Sequence, residues 1–104
     1  MPNMMKLMKQ AQKLQEDMAR LQDELAEREV EFTAGGGAVR VVATGGGTVR
    51  SVTLDPNVID PEDREGLEDL VLTGVNGALE TARAMVKEEM GKLTGGLGLP
   101  GFPA

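Results

Sequence analysis

Residues 29–54, EVEFTAGGGAVRVVATGGGTVRSVTL, decide the fold of this chain. The segments 29–34, 39–44 and 48–54 are rich in β-branched side chains, and in the first of them apolar residues alternate with polar ones. An alternation with a period of two is typical of a strand that buries one face. Two runs of three glycines, 35–37 and 45–47, separate the segments and permit the tight reversals that hairpins need. The stretch therefore predicts a three-stranded antiparallel meander.

Two valines of the meander, Val42 and Val49, fall on the face that the alternation assigns to solvent. Apolar side chains on the outer face of a sheet indicate that this face also has something to pack against. We therefore expect part of the outer face to be buried against a second subunit.

The segment before the meander predicts a long helix from about Met4 to Glu27, with good helix formers at its outward positions. Its apolar residues recur at intervals of three and four, which places them on one stripe, here called the seam: Met4, Leu7, Ala11, Leu14, Met18, Leu21 and Leu25. At 1.5 Å per residue the seam is roughly 30 Å long, more than a chain of this size covers with its other elements. The seam therefore predicts contact with a second helix in a homodimer.

The residues after the meander predict a second long helix. Asp60 has the character of an N-cap, and Pro61 follows it at the first helical position. A broad apolar face comes next, within which Gly74 and Gly77 are small enough for the helix to lie close to the sheet.

The chain has 104 residues, which is enough for one small domain. From Gly91 onward it is too rich in Gly and Pro to continue as a stable helix. We therefore expect a single α+β domain over residues 1–93 and a flexible Gly/Pro-rich tail over residues 94–104.

The composition argues against an enzyme. The chain contains neither Cys nor His, so the thiolate nucleophile, the commonest general base and the commonest transition-metal ligand are all missing. No Ser-base or paired-carboxylate arrangement stands out either. We predict a non-enzymatic protein with no catalytic residues, metal, cofactor or small-molecule substrate.

Hydropathy gives no sign of a membrane protein. No stretch approaches the roughly 20 apolar residues that cross a bilayer, and residues 1–13 lack the continuous apolar core of a signal peptide. We expect a soluble cytoplasmic protein with no membrane partner.

The net charge of −6 is unevenly distributed. Residues 21–82 hold four basic and thirteen acidic side chains, a balance of −9, whereas residues 1–20 and 83–104 are both slightly basic. A polyanionic ligand is usually met by a basic surface, so only the two ends of the chain are suited to one.

Several separated segments carry a resemblance to a known family. They are LMKQAQ at 7–12 with Met18, VTLDP at 52–56, LEDLV at 67–71, and MGKLT at 90–94 followed by GLPGF at 98–102. In this order and at this length they resemble the YbaB/EbfC family of bacterial nucleoid-associated proteins over nearly the whole chain. The resemblance implies an α-β-β-β-α subunit, a tweezer-like homodimer with protruding helices, and binding of double-stranded DNA in the nucleoid.

The resemblance also implies that basic side chains on the protruding helices contact the DNA. In this chain those positions are Lys6, Lys9, Lys13, Arg20, Arg83, Lys87 and Lys92. Helical spacing predicts ion pairs from Glu16 to Arg20 and from Glu24 to Arg28, whereas Lys6 and Lys9 have no acid at either spacing.

Two alternatives stay open from sequence alone. Lys6, Lys9 and Lys13 of the first helix are equally well explained as an ordinary solvated helix face. The negative net charge favours an adaptor dimer that grips a protein partner in recombination or replication. With only Phe32 and Phe102 as aromatic residues, the chain has no stacking platform for single strands, so duplex DNA is the better nucleic-acid ligand.

Overall fold

The computed structural model describes residues 3–95. Along the chain, one long helix precedes the three strands of a sheet and a second long helix follows them. Helix α1 spans Met4–Glu27, and helix α2 spans Arg64–Gly95. Between them lie strands β1, β2 and β3, at Glu29–Ala34, Val39–Thr44 and Val49–Leu54. This order confirms the predicted α-β-β-β-α arrangement. The described chain is elongated, with extents of 75 × 22 × 16 Å.

The sheet has the strand order β1-β2-β3, and both neighbouring pairs are antiparallel, which confirms the predicted meander. Val39, Val41 and Ala43 of the central strand point to the same face and are completely buried there. This inner face is covered by α2, which lies mainly over β1 and β2. The core of the molecule is therefore the layer between α2 and the first two strands.

A β-bulge in β3 changes which residues face the core. Ser51 pairs with Val42, but the next pair joins Val49 to Ala43, so Arg50 is an extra residue in β3. Val49 therefore shares the inner face with Ala43 and packs against the core, and its predicted place on the outer face was wrong. The expectation of a second apolar face rests on Val42 alone.

Helix α2 approaches the sheet closely at Gly74 and Gly77, as predicted. A Cβ atom at Gly74 would lie 2.8 Å from Val39 Cγ1, and one at Gly77 would overlap the ring of Phe32. The next small residue on this face, Ala78, is fully buried. The two glycines lower helix propensity by about 1 kcal/mol each, and close packing on the sheet is the compensating gain.

The start of α2 agrees with the sequence prediction to within one turn. Asp60 Oδ1 accepts a hydrogen bond of 2.9 Å from the backbone N–H of Glu62, and Pro61–Asp63 form a 3₁₀ turn before α2 begins at Arg64. Asp63 Oδ1 then accepts from the N–H of Gly66 at 3.1 Å, which satisfies a second free donor of the helix start.

The end of α2 lies further along the chain than its composition predicts. The helix continues through Gly91 to Gly95, and the Thr94 hydroxyl donates to the carbonyl oxygens of Met90 and Gly91. Residues 96–104 lie outside the described part of the chain, so the flexible tail over residues 94–104 and the domain boundary at residue 93 stay predictions.

Helix α1 packs against the rest of the fold at its C-terminal end. Leu25 is completely buried, and the turn between β2 and β3 packs against the last residues of α1. The backbone N–H of Gly45 donates to the Arg28 carbonyl, and that of Gly46 donates to the Ala26 carbonyl. These bonds satisfy carbonyls that a helix end leaves free. Among residues 3–95, neither helix is long and apolar enough to cross a bilayer.

Candidate nucleic-acid interface

Lys6, Lys9 and Lys13 form a row on the outer half of α1, which we define as Met4–Lys13. All three are exposed, and their helical spacing places them on the side opposite the seam. The cap of the helix is Asn3, whose Oδ1 accepts from the N–H of Lys6. No carboxylate of residues 3–95 lies within 4.0 Å of these lysines, so their charges are available to a ligand.

Arg83 and Lys87 form a second exposed pair one helical turn apart on α2. Ala78 and Ala82 lie on the opposite side of the helix and are buried against the sheet, so the side chains of Arg83 and Lys87 point away from the core. Neither cation has a carboxylate of the described residues within 4.0 Å, although Glu80 precedes Arg83 by three residues.

The other two predicted contact residues are held in ion pairs. Arg20 bonds Asp17 at 2.7 Å, and the predicted partner Glu16 was wrong because the arginine takes the i−3 acid instead. Lys92 lies 3.3 Å from Glu89 and 4.0 Å from Glu88. Such exposed pairs contribute only about 0–1 kcal/mol, but they lower the positive potential at these two positions.

The remaining cations of the molecule are also paired. Arg40 lies 3.6 Å from Glu31 on the sheet, and Arg64 lies 3.1 Å from Glu68 at the start of α2. Arg28 follows the end of α1 and reaches Glu89 of α2 at 3.9 Å, so its predicted pairing with Glu24 was wrong. In each of these ion pairs the carboxylate neutralises the positive charge of the arginine.

Arg50, the extra residue of the β-bulge, makes two ion pairs that sequence reasoning missed. Its guanidinium bonds Glu27 at 2.5 Å and Glu29 at 3.2 Å, joining β3 to the junction between α1 and β1. The hydrogen bonds that Arg50 donates to the carboxylates of Glu27 and Glu29 raise its pKa above the usual value for arginine. The partners are 23 and 21 residues away in sequence, so no local spacing rule identifies them.

The seam is covered unevenly. Leu25 is fully buried, Leu21, Met18 and Leu14 are half-buried, and Ala11, Leu7 and Met4 are exposed. The inner half of the seam is therefore packed within the chain, where α1 contacts α2 and β2, and the outer half is open.

On β3 and on the neighbouring flank of α2, apolar side chains are left exposed or half-buried, and we call them the β3–α2 corner: Val52, Leu72 and Val75. Val52 pairs with Val41 and so faces the core side of the sheet, yet it is 43% exposed. Leu72, which is 60% exposed, and Val75 lie on the flank of α2 that points away from β1. This corner exists because α2 covers β1 and β2 more fully than β3.

The chain is similar to known proteins along almost all of its length. A model of the YbaB/EbfC DNA-binding family matches residues 1–97. Nucleoid-associated proteins of Pelotomaculum thermopropionicum and Desulforamulus reducens are 56% and 57% identical to this chain over 100 residues, covering 96% of it and 95% of each relative. A crystal structure of an uncharacterized protein from Helicobacter pylori has the same fold, with a TM-score of 0.65 and 18% identity over 93% of this chain and 98% of that one.

Proposed function

Because this chain belongs to the YbaB/EbfC DNA-binding family, we propose that it binds duplex DNA as a homodimer, without catalysis, in the nucleoid of the cytoplasm. The contacts are to phosphates and are made by basic side chains of α1 and α2. Direct reading of bases plays little part.

The distribution of ion pairs carries this proposal. Of the eleven Lys and Arg side chains, six lie within 4.0 Å of a carboxylate of the described residues. The five without such a partner are all on the two helices: Lys6, Lys9, Lys13, Arg83 and Lys87. A phosphate backbone is attracted to cations that are not already neutralised, so the helices are the favoured surface.

This distribution narrows the set of contact residues. Arg20 and Lys92 would have to exchange an existing carboxylate for a phosphate, whereas the five free cations would not. We therefore assign the main contacts to the lysine row and to the pair Arg83 and Lys87. Phosphate contacts position a protein on DNA but carry no sequence information, so we expect similar affinity for unrelated duplexes.

The β3–α2 corner supports the homodimer. Val52 on the core side of the sheet and Leu72 on the flank of α2 are large exposed apolar side chains, and β3 is an edge strand whose free side offers unpaired backbone groups. A second copy placed against the corner would cover both features. A dimer also doubles the number of free cations from five to ten.

The proposal is tested by comparing two triple variants that remove the same charge. The first replaces Lys6, Lys9 and Lys13 by Gln, and the control replaces the paired arginines Arg20, Arg40 and Arg64 by Gln. Both have a net charge of −9, from −6 and the loss of three positive charges. Duplex affinity is measured by fluorescence anisotropy over a range of salt concentrations, with helix content checked by circular dichroism.

We expect the lysine variant to bind unrelated duplexes more weakly, and its plot of log affinity against log salt to flatten by roughly two to four, at about 0.9 per lost phosphate contact. The control should keep most of the affinity and the slope. Equal losses in the two variants would show that net charge alone matters, which contradicts the assignment to the helices.

The acidic middle of the chain favours a second function, an adaptor dimer that binds a protein partner in recombination or replication. Residues 21–82 carry a balance of −9, which repels DNA from most of the surface. If both triple variants bind DNA as the wild type does, or if the wild type binds duplex DNA only at very low salt, the adaptor function is the better explanation.

A further inference from the structure

The outer half of α1 concentrates exposed apolar side chains. Met4, Met5, Leu7 and Met8 are 71%, 70%, 55% and 62% exposed. They are four of the seven large apolar residues that are exposed within residues 3–95. Contiguous apolar surface of this kind marks a site of association.

The width of this apolar surface distinguishes it from a helix-pairing seam. At 100° per residue, the large apolar residues of the inner half, Leu14, Met18, Leu21 and Leu25, occupy an arc of roughly 60°. In the outer half, Met5 and Met8 lie beside the seam and widen the arc to roughly 160°. A single partner helix needs only the narrow stripe of a and d positions, whereas a wide apolar face fits a flat apolar surface.

The charges of the outer half are all of one sign. Lys6, Lys9 and Lys13 occupy the arc opposite the apolar face, and the first acidic residue of the chain is Glu16. A helix with an apolar face, a lysine-rich polar face and low overall hydrophobicity has the character of one that lies in a membrane interface. The positive charge complements an anionic headgroup layer and not a neutral one.

We propose that the outer half of α1 binds an anionic lipid surface, with Met4, Leu7 and Met8 inserted at the level of the headgroups. A helix is about 10–12 Å across, so lysines on its far side stay within about one Debye length of the phosphates. Binding at the surface of a membrane requires no membrane-spanning segment. The finding that neither helix of residues 3–95 could cross a bilayer therefore does not oppose this proposal. The apolar face takes no part in the phosphate contacts proposed for DNA.

The test uses the full-length protein and vesicles of phosphatidylcholine with or without phosphatidylglycerol. Flotation should recover the wild type with the anionic vesicles only, and added salt should reduce the recovery. A lysine near an anionic surface strengthens binding roughly fivefold, so the lysine triple variant should bind about 100-fold more weakly.

The double variant Met5→Gln with Met8→Gln separates lipid from DNA, because it changes the apolar face at two residues outside the seam and leaves every charge in place. We expect it to lose vesicle binding at least about tenfold while its DNA affinity stays unchanged. Ile59→Gln is the matched control, since Ile59 is also an exposed large apolar residue but lies outside α1. It should bind vesicles as the wild type does.

A site-specific probe makes the insertion itself measurable, because the chain has no Cys and accepts a single label. A polarity-sensitive fluorophore on Met8→Cys should shift to the blue on anionic vesicles, whereas one on Gln10→Cys, outside the apolar arc, should not. Vesicle binding that survives the double variant, or equal shifts at the two positions, would overturn the proposal and leave simple electrostatic adsorption. Neither result affects the proposed binding of DNA.

Discussion

Gly45 sits where three elements of the molecule meet. A Cβ atom there would overlap the carbonyl oxygen of Leu25 and lie 2.9 Å from Val86 Cγ2 on α2. Its backbone N–H donates to the Arg28 carbonyl. The absence of a side chain at this residue therefore allows the β2–β3 turn to close against the end of α1.

We predict that Gly45→Ala destabilises the protein by about 1–3 kcal/mol, the usual cost of forcing extra atoms into a packed site. The carbonyl group of Leu25 that the new methyl group would meet belongs to the backbone, so it cannot move aside as the tip of a flexible side chain can. Chemical unfolding followed by circular dichroism measures the change in the free energy of unfolding.

Gly91→Ala is the matched control for this substitution. A Cβ atom at Gly91 meets nothing within 4 Å, and the residue lies inside α2, where Ala is favoured over Gly by up to about 1 kcal/mol. This variant should be as stable as the wild type or more stable. Equal destabilisation by the two substitutions would mean that the close approach at Gly45 has no special importance.

Two residues of β3 show where reasoning from sequence stops. The alternation of apolar residues predicts the strand correctly but assigns Val49 to the wrong face, because one extra residue in a strand reverses the facing of all residues beyond it. That residue, Arg50, then bonds acids 21 and 23 positions away. Neither the bulge nor the long-range pairs leave a local pattern in the sequence.

At the scale of elements, α1 is one helix with two different environments. Heptad spacing predicts its bounds and its apolar stripe, because both depend only on residues three and four apart. Heptad spacing does not predict which part of this stripe is buried, because burial depends on how far the other elements of the fold extend along α1. α2 and the β2–β3 turn reach only its inner half, and the outer half is left open.

This difference predicts unequal costs for the same substitution at the two ends of α1. Leu25→Ala should lower the free energy of unfolding by about 2–5 kcal/mol, because Leu25 is completely buried and its loss leaves a cavity. Leu7→Ala should change it by no more than about 0.5 kcal/mol, since Leu7 is exposed and Ala favours the helix. A large cost at Leu7 would indicate that the outer half is covered in solution.

At the scale of the whole molecule, charge is separated between residues 21–82 and the two ends of the chain. Some of the acids of residues 21–82 neutralise arginines of the same segment, and the others are in excess. The cations without a carboxylate of the described residues within 4.0 Å lie on α1 and α2. Repulsion by residues 21–82 and attraction by the free cations would confine a duplex to the outer half of α1 and to the part of α2 around Arg83 and Lys87. The unfavourable net charge is thus compatible with DNA binding, because the local charge and not the total determines where a polyanion can lie.

The β3–α2 corner leads to a final prediction about assembly. Light scattering should give a mass of twice the 11.0 kDa of one chain at micromolar concentration. Val52→Asp should produce a folded monomer, because it would bury an unpaired charge between the two copies and raise the dissociation constant by roughly 100-fold or more. Thr53→Asp is the matched control, since Thr53 is the next residue of the same edge strand but pairs with Arg40 on the outer face. Dimers that survive Val52→Asp would exclude the corner as the interface and leave the open half of the seam as its remaining candidate, whereas a monomeric wild type would exclude both.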